Sequence, residues 1–180
     1  SFDGVNDYVS IADSVGLADT GPFSISLWVM PTVAGGGGDA RPGIWGHYVH
    51  STVAGGEQAY AGAAIWCTSS KIGFGGRNGA GNYFGYYTTA AVVVKNKWLH
   101  IACTYAADGS TYPLIYIDGQ SRALTSWLGG TFRTALKNPV TQGRIGEAKS
   151  FSNTKQQFAG YISNFAYYNK ALSATEVSGI

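Results

Sequence analysis

Charge is scarce in this sequence. Only 12% of its 180 residues are Asp, Glu, Lys or Arg, about half the share usual for a soluble domain. The 12 basic residues are scattered singly among 10 acidic ones, for a net charge of +2. No Lys/Arg run exists to give a nucleic-acid footprint. Nothing spans the roughly 18 apolar residues that mark a transmembrane helix, and the start lacks the basic-then-apolar pattern of a signal peptide. Two readings of that start stand side by side: an upstream segment has been removed, or Ser1 follows an excised initiator Met. Cysteine occurs twice, as Cys67 and Cys103, each in an apolar run. The two either pair across packed strands or, the preferred reading, stay free as small buried hydrophobes. A metal site needs more ligands than that pair supplies.

Acids and histidines able to do chemistry are also missing. Glu57, Glu147 and Glu176 are the only glutamates and lie far apart. A retaining glycosidase needs two carboxyl groups about 5 Å apart, and no two acids here alternate on one strand face. His47 and His50, three apart on a strand, point to opposite faces, and His100 reads as a structural histidine. There is no nucleophile elbow, Walker loop or dinucleotide fingerprint. The chain is therefore expected not to be an enzyme.

What is present favours β-structure. The 26 Gly, 12 Tyr and 8 Phe within a 45% hydrophobic chain suit strands joined by tight turns. Phe23, Ile25, Leu27 and Val29 alternate with serines, and Pro31 closes the run. Leu99, Ile101, Cys103 and Tyr105 share a face. Leu114 to Ile117 is apolar on both faces, as in a strand inside a sheet. Asp118-Gly119 then marks a type I′ hairpin, while Asp108-Gly109 and Asn78-Gly79 punctuate elsewhere. The glycines from Gly35 to Gly38 open the longest loop. Ser173 and Glu176 form a capping box for a short C-terminal helical turn. Regular short strands with turn signals predict an all-β, two-sheet antiparallel sandwich of the jelly-roll type. Residues 1–180 read as one domain, a length at which about 70% of the unfolded surface is buried.

Several segments in order carry a family resemblance. Phe2-Asp3-Gly4-Val5-Asn6-Asp7-Tyr8-Val9 resembles the opening strand-turn of laminin-G-like, pentraxin-type domains of the concanavalin A-like lectin/glucanase superfamily. Phe23 to Val29 with Pro31 is similar to that family's second signature. Trp98-Leu99-His100-Ile101-Ala102 and Tyr116-Ile117-Asp118-Gly119-Gln120 are similar to its central strand and hairpin. Ile145-Gly146, Phe158 to Ile162 and Tyr168 to Ser173 match its close. The resemblance implies a concanavalin A-like sandwich and several jobs, from adhesion and carbohydrate binding to virion assembly. It also includes glucanases whose carboxylates lie in a Glu-x-Asp-x-x-Glu strand, a pattern absent here.

Because fold alone does not name a function, sites carry the reading. Family calcium sites imply Asp3, Asp7 and Asp118 as a low-affinity set. The preferred reading is that Asp3 and Asp7 cap a turn and that no cofactor is needed. Sugar rings offer an apolar face and hydroxyl edges, so aromatic side chains beside amides and cations are the ligand-binding candidates. These are Trp45, Tyr48, Arg77, Asn82, Tyr83, Tyr86 and Trp127, all read as loop residues, with His47 and Tyr87 beside them. Trp28, Trp66 and Trp98 are read as packing residues inside strands. The expected function is an adhesion or binding module that meets a glycan or a protein surface outside the cell. The alternative is a structural virion component, a capsid decoration or fibre protein working through protein contacts in a homo-oligomer. Neither reading involves nucleic acid or membrane insertion.

Overall fold

The structure is a computed structural model that describes residues 1–12, 21–33, 42–52, 58–68, 70–78, 83–127, 134, 136, 142–149 and 155–180. The runs that alternate in sequence are strands. One sheet has six of them, in the order β1 (Phe2–Asp3), β15 (Ala159–Tyr168), β3 (Phe23–Pro31), β8 (Leu99–Tyr105), β9 (Leu114–Ile117) and β10 (Gln120–Ser121). The other has nine strands. Seven run in the order β11 (Leu124–Ser126), β7 (Tyr83–Thr88), β6 (Ile72–Asn78), β5 (Gln58–Cys67), β4 (Gly43–Thr52), β12 (Gly143–Ile145) and β2 (Val9–Ile11). The remaining two are β13 (Glu147–Lys149) and β14 (Lys155–Gln157), which pair with each other, and β14 also joins β4 in parallel. Helix α1 (Ala174–Ser178) follows.

Strand alternation decides what lies between the sheets. Phe23, Ile25, Leu27 and Val29 of β3 all face inward and are buried, as are Leu99, Ile101, Cys103 and Tyr105 of β8. Ile65, Phe74 and Phe84 of the larger sheet meet them in the same core. Aromatic rings bridge the layers: Phe84 stacks on Tyr105 with centroids 4.8 Å apart, and Phe23 meets Phe74 edge-on at 6.1 Å. Each such side chain contributes about 1.5–3 kcal/mol by leaving water. Cys67 and Cys103 are both free thiols, buried in this core. Burial pushes the Cys67 thiol up to about 12 and raises that of Cys103 as well, so neither ionises near neutral pH.

The turn and cap signals have their expected geometry. Asp118 and Gly119 take φ of 52° and 75°, the left-handed pair a type I′ turn requires, and Ile117 pairs with Gln120 around them. Ser173 accepts from the Glu176 amide while the Glu176 carboxylate accepts from the Ser173 amide. Lys170 pairs with the same carboxylate. The helix then lays Val177, with Leu172, on Ala102 and Tyr116 of the six-stranded sheet's outer face. Ser24, an outward serine of β3, is buried under this segment, donating to the Lys170 carbonyl and accepting from the Leu172 amide.

Candidate functional site

The candidate ligand residues divide between the core and one outer face. Those within the described residues lie on strands or beside them, where the sequence had suggested loops. Trp45 is 1% exposed and Tyr86 8%, both inside the core cluster. A bulge explains Trp45. On β4, Gly43 pairs with Trp66 but Trp45 pairs with Ile65, so one residue is skipped. A slip of one residue sends a side chain to the other face. His47 is buried by the same phase. Tyr86 sits between Phe84 and Thr88, all three on the inward set of β7. Tyr48 lies on β4 opposite Gly62, with its side chain outside the described set; Asn82, Glu57 and the Gly35–Gly38 run also lie outside the described residues.

Arg77, Tyr83 and Trp127 are brought to the outer face of the nine-stranded sheet. Three adjacent strands build that face in rows. Trp66, Gly73 and Tyr87 are opposed in one row, then Ala64, Gly75 and Gly85, then Gly62, Arg77 and Tyr83. In the first row the rings of Trp66 and Tyr87 meet at 6.0 Å, and Trp127 joins both, at 6.1 Å and 5.8 Å. In the third row the Arg77 guanidinium lies over the Tyr83 ring, 5.1 Å from its centroid. The middle row is glycine and alanine because the indole needs the space: a Cβ on Gly75 would sit 2.6 Å from Cη2 of Trp66. The Trp66 indole fills the space over these small residues and is itself only 4% exposed, so what reaches the surface is Tyr87 and Trp127 on one side and Arg77 over Tyr83 on the other, all half-buried. Such an arrangement can stack a sugar ring and donate to its hydroxyl or carboxylate edge.

The remaining polar groups serve the fold. Asp3 accepts from the Val5 and Asn6 amides at 2.7 and 3.3 Å, and Asp7 accepts from the Asp3 amide at 2.9 Å. Those backbone bonds, the Val5 amide first, hold the Asp3 carboxyl below its usual range. Asp118 is not with them. It follows β9 near the opposite edge of the sheet, where it accepts from the His100 amide at 2.9 Å. Glu147 is buried in a pair with Arg144, whose guanidinium covers the Tyr8 ring at 4.2 Å, and it also accepts from Gln157 at 3.1 Å.

Ser26 Oγ and His100 Nε2 lie 2.7 Å apart and both residues are buried. That is hydrogen-bond reach for a nucleophile and its base. The neighbouring acid, Asp118, accepts from the backbone amide of His100, and among the described residues no acid completes a triad with Ser26 and His100. Burial lowers the His100 pKa from its ordinary 6.5, with Asp118 opposing. The folded chain therefore takes up this proton less readily than the unfolded one. The stability tied to neutral His100 is complete above about pH 6.5 and shrinks as pH falls below that value. Thermal melts from about pH 7 to about pH 5 are expected to show a smaller drop in His100→Gln than in the native chain.

Of the aromatics read as packing residues inside strands, Trp66 is buried, while two stand partly open and one of them, Trp98, just precedes its strand. Trp28 is 37% exposed and Trp98 46%, both at the outer surface of the six-stranded sheet. The signal was present in the alternation. Trp28 has the parity of Ser24 and Ser26, and Trp98 that of His100, which is the outward phase.

Comparison with known proteins agrees with this architecture. The binding domain of botulinum neurotoxin serotype D superposes with a TM-score of 0.66 at 13% identity, over 98% of this chain and 40% of that one. A carbohydrate-binding protein from Bacteroides ovatus, so described provisionally, gives 0.66 at 18% identity, over 98% and 45%. The serotype D ligand-binding domain in complex with N-acetylneuraminic acid gives 0.60 at 15% identity, over 95% and 38%. The chain thus spans less than half the length of these structures. No curated protein matches the sequence. Among the described residues no helix is long and apolar enough to cross a membrane. A family profile aligns with residues 3–178, almost end to end, and by that match the chain belongs to the concanavalin A-like lectin/glucanases superfamily, as a laminin-G-type domain.

Proposed function

We propose that this chain is a non-catalytic binding module that takes a glycan on the outer face of its nine-stranded sheet and acts outside the cell. The observation that carries the reading is the row arrangement: Arg77 over the Tyr83 ring at one end, Tyr87 and Trp127 at the other, and the buried Trp66 indole packed over the small residues between. A guanidinium held over a ring is pre-ordered, so it donates to a sugar carboxylate or hydroxyl at little entropic cost. The described carboxylates and histidines support the non-catalytic part, since each of Asp3, Asp7, Asp118, Glu147 and His100 is engaged by the fold's own groups. The structural relatives described as carbohydrate-binding or as holding a sialic acid add support for the ligand class.

A glycan array with the purified chain tests this. Hits rich in acidic sugars are expected, weakened about tenfold or more by Arg77→Ala and by Trp127→Ala. A silent array together with a stable oligomer in light scattering would reject the glycan reading and favour a structural role in a virion assembly. Hits that persist unchanged in both variants would place binding elsewhere.

A further inference from the structure

One end of the sandwich carries exposed apolar side chains beside a pair of lysines. Val33 is 47% exposed, Val94 52% and Trp98 46%. Val94 to Lys97 make a turn, closed by the Lys97 amide donating to the Val94 carbonyl at 3.2 Å. Asn96 takes a φ of 59° at the third position, where a type II turn calls for Gly or Asn. The Asn96 amide donates to the Pro31 carbonyl at 2.7 Å, which ties the turn to the end of β3, two residues before Val33. On the approach to the turn, the amides of Val92 and Val93 both donate to the Ser70 carbonyl. The backbone is thus fastened on both sides, while all five residues from Val94 to Trp98 are exposed. Among the described residues Lys95 and Lys97 enter no ion pair. Neither Thr88 to Tyr105 nor Met30 to Val33 contains an Asp or a Glu.

We propose that the Val94–Trp98 turn, with Val33, docks this protein peripherally on an anionic phospholipid surface. Val33, Val94 and Trp98 enter among the headgroups, and Lys95 and Lys97 meet the negative groups around them. Charge gives the sign of the partner. Two cations with no counter-ion of their own are drawn to a negative surface potential, and each adds to the attraction. Area gives its kind. A stable protein contact buries about 800 Å² on each partner, and its centre is poor in lysine. One turn in which Val, Lys and Trp alternate offers neither. A fluid headgroup layer closes around so small a projection, and both side-chain types suit it. An indole sits at headgroup level, and a lysine lays its stem along apolar surface while its ammonium stays in water. Order favours docking as well. The bonds to Pro31 and Ser70 hold the turn beforehand, so little chain entropy is lost on contact. The turn rests at the interface and spans nothing. It shares no residue with the nine-stranded face.

Co-sedimentation with vesicles of plain phospholipid, which display no sugar chain, tests this. The native chain is expected to pellet with phosphatidylcholine vesicles containing about one-third phosphatidylserine, and to stay in solution with phosphatidylcholine alone. Sodium chloride at about 1 M should cut the bound fraction severalfold. Lys95→Gln combined with Lys97→Gln should weaken partitioning about tenfold or more. Val94→Asp should weaken it as far, by placing a carboxylate among the headgroups, while Arg77→Ala leaves it intact. Thermal melts of the variants check that their folding is unaltered. The proposal is overturned if the native chain does not pellet with the phosphatidylserine vesicles, or if either the lysine double variant or Val94→Asp pellets as the native chain does. It is equally overturned if pure phosphatidylcholine binds as well, if salt has no effect, or if light scattering shows an oligomer that the lysine double variant disperses. A silent glycan array leaves this result untouched, and a failure here leaves the array untouched.

Discussion

Gly160→Ala is expected to remove most of the folded protein. Gly160 has φ of +146°, outside the range an L side chain adopts easily. It lies within β15 between two partners, facing Phe2 on one side and Pro31 on the other. A Cβ there would run into the Met30 carbonyl oxygen, with Cε1 of Phe158 at 2.9 Å and Cα of Pro31 at 3.0 Å. Backbone strain and overpacking together cost about 3–5 kcal/mol, a large part of the 5–15 kcal/mol that holds a typical domain. Gly109→Ala is the control. It has φ of +79°, yet its Cβ would meet only Cγ2 of Thr134, at an ordinary 3.6 Å. Its loss should be about 1–2 kcal/mol, from strain alone. Equal losses in urea titrations of the two variants would mean that the crowding by neighbouring backbone has no weight.

Phe84→Ala should cost about 3–5 kcal/mol, the usual range for emptying a large aromatic site. Phe84 stacks on Tyr105 with an interplanar angle of 12° and meets Phe74 edge-on at 5.4 Å. It therefore joins the two sheets at the centre of their contact. Phe84→Leu refills most of the volume and should recover more than half of the loss. Trp98→Ala removes a larger side chain from the surface and should leave the denaturation midpoint nearly unchanged. The contrast between the core ring and the surface ring is the check: similar losses would refute the assignment of which rings face inward.

The strands that carry a clean alternation of large apolar and small polar residues were legible in the sequence, and the glycine-rich ones were not. β3 and β8 declare their inward faces through Phe23, Ile25, Leu27 and Val29, and through Leu99, Ile101, Cys103 and Tyr105. The Asp118-Gly119 hairpin and the Ser173–Glu176 cap are local chemistry, which a sequence displays without its tertiary context. β4, at ten residues the equal of β15 in length, contains Gly43 and Gly46, and β6 contains Gly73, Gly75 and Gly76, so Trp45, Tyr48 and Arg77 on them were read as loop residues. Packing explains the glycines: a Cβ on Gly46 would sit 3.0 Å from Cα of Ala148, and one on Gly73 would sit 2.7 Å from Cε1 of Tyr87. The register skip near Trp45 depends on pairing with β5, and no local pattern encodes it. The candidate site divides the same way. Arg77 and Tyr83 were singled out as residue types suited to a glycan, but their opposition across β6 and β7 is a matter of register. Trp28 and Trp98 were read as packing residues, and their parity with Ser24, Ser26 and His100 marks the outward face on which they pack.

The order of strands also governs how the protein comes off the ribosome. β15, the last strand in sequence, is inserted between β1 and β3, which are among the first. Until residues 159–168 emerge, β3 has β8 on one flank and a bare row of amides and carbonyls on the other. An unpaired strand edge recruits neighbouring chains, and long-range pairings such as this one close late. Nascent copies on one polysome are thus at their most adhesive just before residues 159–168 leave the exit tunnel.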